Sequence, residues 1–252
     1  MSISEDRIER ERAFHNDRFS EETRAAQGKY YLAIRDGADR FNDRVINLAR
    51  GADVLEYGCG NANQARSLAP LAQSVRGIDI SDVAIAEAAA EAKAEGLDNV
   101  GFAAMNAEAM EFADASFDLV FGRGIVHHLD LDRCFGEIAR VLRPGGTALF
   151  WEPLGHNLLL NGYRALTPNA RTPDEHPLLA RDFDLAKRYF GGVETRFYGL
   201  TSLAAVPFGD SKLGGAVLKA SAGVDRALFR IPGLKWQAWY CMIELTRPLR
   251  AG

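Results

Sequence analysis

Apolar residues fall into short runs separated by stretches of helical spacing. V-L-E-Y at 54–57, S-V-R-G-I-D-I at 74–80, V-G-F-A-A-M at 100–105, F-D-L-V-F-G at 117–122 and T-A-L-F-W-E at 147–152 are too short for helices, and each reads as a strand. Residues 38–50 carry Phe41, Val45, Ile46 and Leu48 as an apolar stripe, which predicts a helix before the first strand. Further helices are predicted through Leu68, from Ser81 to Glu95, and from Leu131 to Leu142. Ser81 can cap the free N–H groups of the second, and its alanines cost least inside a helix. The third meets R-P-G-G, where proline and glycine stop it. Strands alternating with helices of this length predict parallel βαβ units with right-handed crossovers and helices on both faces of one open sheet. Ligands of such sheets sit beyond the carboxyl ends of the strands, near the point where strand order reverses.

After Glu152 the rhythm breaks. Residues 153–180 hold Pro153, Pro168, Pro173 and Pro177 and show little periodicity. Helix signals return at 182–190, V-E-T-R-F-Y-G-L at 193–200 alternates like a strand, and W-Q-A-W-Y-C-M-I-E-L at 236–245 is strand-like. The stretches 153–180 and 200–235 read as insertions that cover the strand ends. Residues 1–37 read as a charged helical arm. The whole chain, 1–252, reads as a single domain.

Composition adds limits. Hydrophobic residues make up 47% of the chain and charged residues 25%, which is ordinary for a soluble globular protein. The net charge of −4 supplies no basic field for nucleic acid. Cys59, Cys134 and Cys241 are far apart, so neither a disulfide framework nor a zinc site is expected. No H-x-x-x-H or H-x-H spacing calls for a metal. The N-terminus is densely charged without an apolar signal segment, and no apolar run reaches the roughly 20 residues that span a bilayer. The expectation is a cytoplasmic protein in a reducing compartment, monomeric or homodimeric.

The stretch V-L-E-Y-G-C-G-N-A-N-Q at 54–64 narrows the chemistry. Gly58 and Gly60 remove side chains where the chain turns and a ligand can approach. A helix starting near Asn61 points free N–H groups at the loop. Asn63 stands where a dinucleotide fingerprint wants a third small residue. Glu56, at the end of the first strand, would repel a pyrophosphate and suit a cation. Asp79 closes the second strand, where an acid can accept both hydroxyls of a ribose. The pattern therefore fits a nucleoside that carries positive charge and no phosphate: S-adenosylmethionine. A nicotinamide-dependent oxidoreductase shares the sheet and Asp79, but Glu56 and Asn63 argue against it.

V-L-E-Y-G-C-G-N, G-I-D-I-S, N-A-E-A-M-E-F, F-D-L-V-F-G-R-G-I-V-H-H-L and L-R-P-G-G-T-A-L-F-W-E-P resemble the successive motifs of class I S-adenosylmethionine-dependent methyltransferases, over residues 40–152 and in their order and spacing. The resemblance implies an α/β, doubly wound, seven-stranded, mostly parallel sheet whose last strand is antiparallel, with 193–200 and 236–245 supplying the final two strands. It implies that Glu56, Gly58, Gly60 and Asn61 line the methionine part and ribose edge. Asp79 would hold the ribose hydroxyls, with Ile80 against the adenine. Asn106, Ala107 and Glu108 would meet the adenine edge. Arg123 and Gly124 would lie where a backbone carbonyl meets the ligand's ammonium. Tyr30 and Tyr31 either close over the cofactor, facing the sulfonium through a cation–π contact, or pack in the core. Many relatives have glycine where Ala62 stands and aspartate where Asn106 stands. Some relatives of this fold keep the cofactor without transferring a methyl group.

Methyl transfer from a sulfonium needs alignment and exclusion of water. A base is needed only if the acceptor must lose a proton. His127 and His128 follow the fourth strand and are candidates for that base, or else pack structurally or hold the cofactor's carboxylate. Glu152 and His156 follow the fifth strand and can act as a pair on the acceptor, or form a salt-bridged turn. His176, in the first irregular stretch, can reach over the site or remain on a surface loop. Histidines and an acid around the site favour an oxygen acceptor over nitrogen or carbon. Leu158–Leu160, Leu178, Leu179 and Phe208 are expected to wall a pocket for a bulky or apolar small molecule. Residues 203–234 read as a substrate lid, a dimer face or a helical cap, with contact to lipid the less favoured alternative.

Overall fold

The computed structural model describes residues 3–20, 31–167, 175–209 and 211–249. It opens with a charged helix, α1 (Ile3–Ser20), and an amphipathic one, α2 (Arg35–Ala49), which buries Phe41, Val45 and Ala49. The strand–helix rhythm follows: β1 (Asp53–Tyr57), α3 (Asn63–Leu68), β2 (Ser74–Asp79), α4 (Asp82–Ala94), β3 (Val100–Ala104), β4 (Phe117–Arg123), α5 (Leu131–Val141) and β5 (Leu142–Pro153). The sheet has seven strands in the order β3-β2-β1-β4-β5-β7-β6. The first five are parallel, and β7 (Tyr240–Pro248) runs antiparallel to β5 and to β6 (Phe190–Tyr198). This is the architecture expected from the motifs. Strand order reverses at β1, between β2 and β4, so a crevice opens at their carboxyl ends.

Period-two alternation sends side chains to two cores. Val54, Val75, Leu119, Phe121, Leu149 and Met242 pack with residues of α2, α3 and α4. Leu55, Ile78, Val120, Ala148, Phe150 and Ile243 pack on the opposite face with α5 and with α7 (Ala180–Ala186). Residues buried on both faces read as nearly continuous apolar runs, as parallel strands do. Ser81 caps α4, its hydroxyl accepting the Ala84 N–H at 3.1 Å. Asp130 caps α5 in the same way.

Several boundaries differ from expectation, among them the start of β5, expected at Thr147 and found at Leu142, where it already pairs with Phe117. The helix expected at 182–190 spans Ala180–Ala186, and Phe190 already belongs to β6, paired with Pro248. The strand expected at 236–245 begins at Tyr240. Trp236 and Gln237 lie instead in a short 3-10 turn (Leu234–Gln237), with the Trp236 ring 5.1 Å from Phe183 and 5.3 Å from Phe197. The irregular stretch after β5 contains a helix, α6 (Leu158–Leu166), started by Asn157, whose side-chain oxygen accepts the N–H groups of Leu159 and Leu160.

The second insertion is a 3-10 segment (Thr201–Phe208) followed by α8 (Lys212–Leu228). One buried acid ties the two together. Asp225 accepts from the N–H groups of Leu200 (3.0 Å), Thr201 (2.6 Å) and Ser202 (3.3 Å) and from the hydroxyls of Thr201 and Ser202. Burial alone would raise the Asp225 carboxyl, but these donors hold it below its ordinary value. Asp225→Ala leaves buried donors unpaired and should destabilise this segment by about 3 kcal/mol. Hydrogen exchange should show faster opening of 200–228 than of the sheet.

Candidate functional site

The strand ends open into a cavity of about 1120 Å³. At one end lies the loop after β1. The N–H groups of Gly58 and Cys59 both donate to the Ile78 carbonyl at 2.9 Å, so the loop is folded back over β2. Gly58 has φ +72°, and a Cβ there would meet Ile125 at 2.7 Å, so both backbone and space require glycine. Ala62 also adopts a left-handed conformation, φ 53°, that glycine would take without strain, and it is fully buried.

Asp79 joins two loops. Its Oδ2 accepts the Gly60 N–H at 2.8 Å and its Oδ1 the Ser81 N–H at 2.9 Å. Each oxygen keeps a second lone pair, enough for a vicinal diol. Glu56 lines the cavity, and its Oε2 accepts the Ala65 N–H at 2.8 Å from the first turn of α3. Burial pushes its carboxyl up to about 8, against the Ala65 bond and the attraction of Arg123. An enclosed acid held protonated near neutrality is the group a bound cation would relieve. Cys59 is a buried filler, and burial pushes its thiol up, away from nucleophilic use.

Along the adenine edge expected from the motifs, Asn106, Ala107 and Glu108 all border the cavity with engagements of their own. Asn106 Oδ1 accepts the Glu108 N–H at 2.9 Å, and the Ala107 carbonyl accepts the Tyr57 hydroxyl at 2.5 Å. Glu108 is buried and serves as a strut: its carboxyl takes the Asp130 N–H and pairs with Arg7. Gly60, Asn61, Ile80 and Gly124 are also on the wall. Arg123 opens onto the cavity, with its guanidinium 5.3 Å over the Phe41 ring. Tyr30 lies outside the described residues. Its neighbour Tyr31 lines the cavity and stacks on Trp239, with 5.8 Å between ring centroids.

The opposite end holds the histidines. His127 Nδ1 lies 2.7 Å from Glu152 Oε2. Glu152 Oε1 accepts the N–H groups of Ile125 (2.9 Å) and Val126 (3.0 Å), and the residue is fully buried. With Glu152 as acceptor, Nδ1 is the donor of this pair, and Nε2 lies 3.6 Å from Glu175 Oε1. His128 stacks beside it, with 4.2 Å between centroids, and lies 3.3 Å from Glu11 of α1. Burial pushes the His128 imidazole down, although Glu11 opposes the shift.

The structure thus separates residues that sequence proximity had joined. Glu152 pairs with His127, not with His156. His156 accepts the Ala180 N–H at Nε2, 2.9 Å away, and His176 faces Asp182 at 3.1 Å. Both rings are committed to the start of α7 and neither is on the cavity wall. Of the leucines and Phe208 expected to wall the pocket, Leu160 does so. Leu178 is in the core, and Leu158, Leu159 and Phe208 are exposed. Among the described residues, no group of three or more His, Cys, Asp or Glu is placed to hold a metal ion.

Residues 55–150 match the family model described as a methyltransferase domain. The chain is similar, from β1 into β5, to methyltransferase domains. It is 32% identical over 143 residues to sterol 24-C-methyltransferase erg6 of Aspergillus fumigatus, covering 56% of this chain and 36% of that protein. It is 35% identical over 117 residues to a ubiquinone biosynthesis O-methyltransferase of Rhizobium johnstonii, covering 45% and 47%. The chain thus spans less than half the length of these curated relatives. In fold it is similar to phosphoethanolamine N-methyltransferase 2 of Haemonchus contortus, solved with S-adenosyl-L-methionine, with a TM-score of 0.62 at 19% identity over 93% of this chain and 60% of that one.

Sequence reasoning missed several parts of the cavity wall. Arg7, Ile8 and Glu11 of α1 line the cavity, and Arg7 also donates to the His128 carbonyl at 2.8 Å. Asn16 bridges to Ser81 and Asp82. The 7/11 spacing of Arg and Glu on one helix face was the available signal. Glu175, Tyr240 and Pro207 also line the cavity, and nothing local in the sequence distinguishes them.

Affinity for a cationic ligand should rise with pH up to about 8 and then level off, because below that value binding must remove the Glu56 proton. Glu56→Gln should flatten this profile in calorimetric titrations and weaken binding by ~10–100-fold. The same change should raise the melting temperature of the ligand-free protein most at alkaline pH. A carboxyl whose folded value lies above its ordinary 4.5 costs stability as pH rises between the two. A pH-independent affinity in the unaltered protein would contradict this assignment.

Proposed function

We propose that the chain is an S-adenosylmethionine-dependent methyltransferase acting on a small or medium-sized organic acceptor, with oxygen the favoured atom. The observation that carries this reading is a single cavity with a buried acid and a diol-compatible aspartate at one end and an oriented histidine at the other. When bound, the cofactor supplies a methyl group on a sulfonium that is already an activated leaving group. Glu56 meets the cationic amino-acid portion, Asp79 takes the ribose hydroxyls, and Asn106 and Ala107 border the base. His127, its Nδ1–H held by Glu152, receives the acceptor's proton at Nε2. Leu160, Val206 and Pro207 wall the acceptor side and exclude water.

The relatives' names span carbon, oxygen and nitrogen acceptors, and it is the His127–Glu152 pair that favours oxygen here. One relative is named for a sterol, which together with the apolar wall supports a bulky apolar acceptor. Three buried, unpaired cysteines suit a reducing, cytoplasmic setting.

The test is incubation with methyl-labelled cofactor and an acceptor panel, reading label transfer and S-adenosylhomocysteine. Transfer to hydroxylated apolar acceptors is expected, and turnover confined to small, highly polar ones would overturn the acceptor class. His127→Ala should lower kcat by ~10²–10⁴-fold with cofactor Kd unchanged. Full activity in that variant would remove the base role.

A further inference from the structure

The helix that walls the cavity is apolar on its outer side as well. In α6, Leu160, Tyr163 and Arg164 face the cavity, while Leu158, Leu159 and Leu166 are 81%, 84% and 83% exposed. Its only charged side chain, Arg164, is turned inward and donates to the Leu154 carbonyl at 2.9 Å. Across the mouth, Leu203, Val206 and Pro207 line the cavity, and the same segment continues outward to exposed Phe208 and Leu213. Such large, clustered, exposed apolar side chains mark a contact surface rather than ordinary scatter.

The charges beside them give the surface a sign. Residues 200–235 carry Lys212, Lys219, Arg226, Arg230 and Lys235 against Asp210 and Asp225, and Asp225 is buried under five donors. Between Glu152 and Asp174 there is no acid at all. Within an otherwise acidic chain, net −4, the segment whose Leu203, Val206 and Pro207 line the cavity is thus basic, although Lys235 lies over the Phe197 and Trp236 rings. The exposed face of α8 carries Lys212 and Lys219 among Leu213, Ala216, Ala220 and Val224. Leucines to enter acyl chains with lysines at headgroup level are the composition of an interfacial surface. A two-fold contact between copies through this face would bring two basic patches together, like charge against like charge.

We propose that this rim, the outer face of α6 with Phe208 and the start of α8, docks on a bilayer surface that carries anionic lipid. Docking brings the cavity mouth to the membrane, where an apolar ligand can enter without crossing water. The proposal concerns binding alone and stands apart from the identity of the reaction.

The test is co-sedimentation of the full chain with vesicles of phosphatidylcholine alone and with about one-third phosphatidylglycerol, with lipid charge and salt varied. The chain should pellet with the anionic vesicles, more weakly at high salt. The triple change Leu158→Asp, Leu159→Asp and Leu166→Asp should reduce binding at least tenfold, with its circular dichroism spectrum retained. Lys212→Glu with Lys219→Glu, on the separate α8 face, should abolish the preference for anionic lipid, which keeps the proposal testable if the triple variant misfolds. A chain that stays in the supernatant with both vesicles overturns the proposal. So does a dimer in sedimentation velocity that the leucine changes dissociate, since that assigns the face to a second copy.

Discussion

The site depends on one buried carboxyl group. Glu152, at the end of β5, accepts the N–H groups of Ile125 and Val126 beyond β4 and holds the His127 ring. In a parallel sheet the strand ends converge on one rim, and the chain leaving each must have its main-chain donors satisfied there. Glu152 does this for β4 from the neighbouring strand, and so fixes where His127 points. The next segment hangs from the same place. His176 donates its N–H to the His127 carbonyl at 2.7 Å, and Leu178 donates to Pro153 at 3.0 Å. Removing the Glu152 carboxyl would leave buried N–H groups unpaired and release the histidine at once.

Asp79 plays the matching part at the other end, tying the β1 loop to the start of α4. Between these two acids lies Glu56, enclosed and raised by burial. Three carboxyl groups with distinct surroundings thus shape one cavity. The first orients His127, the second keeps a lone pair on each oxygen beyond its N–H bonds, and the third is raised by burial. A pyrophosphate would meet acids at the place where dinucleotide folds present free N–H groups.

The elements of the sheet were legible because their physics is local. Apolar runs set β1–β5, Ser81 announces a cap, and R-P-G-G stops α5. What stayed hidden was tertiary. His127 and Glu152 are 25 residues apart, and only the pairing of β4 with β5 joins them. His156 sits four residues from Glu152 in sequence, yet the Leu154–Leu178 bridge turns the chain so that its ring faces α7. α6 gave no helical stripe because it is apolar toward the cavity and toward solvent alike. α1 gave none because its few apolar residues are scattered among charges, and its Arg7 and Glu11 meet Glu108 and His128 by charge.

The central claim is that the cavity is shaped for a positively charged, phosphate-free nucleoside. Calorimetric titration of the folded chain measures it most directly, with S-adenosylmethionine and S-adenosylhomocysteine set against a nicotinamide dinucleotide. The account predicts saturable binding of both sulfur nucleosides with one site per chain and no heat from the dinucleotide. Tight dinucleotide binding with silence from the sulfur nucleosides would contradict it.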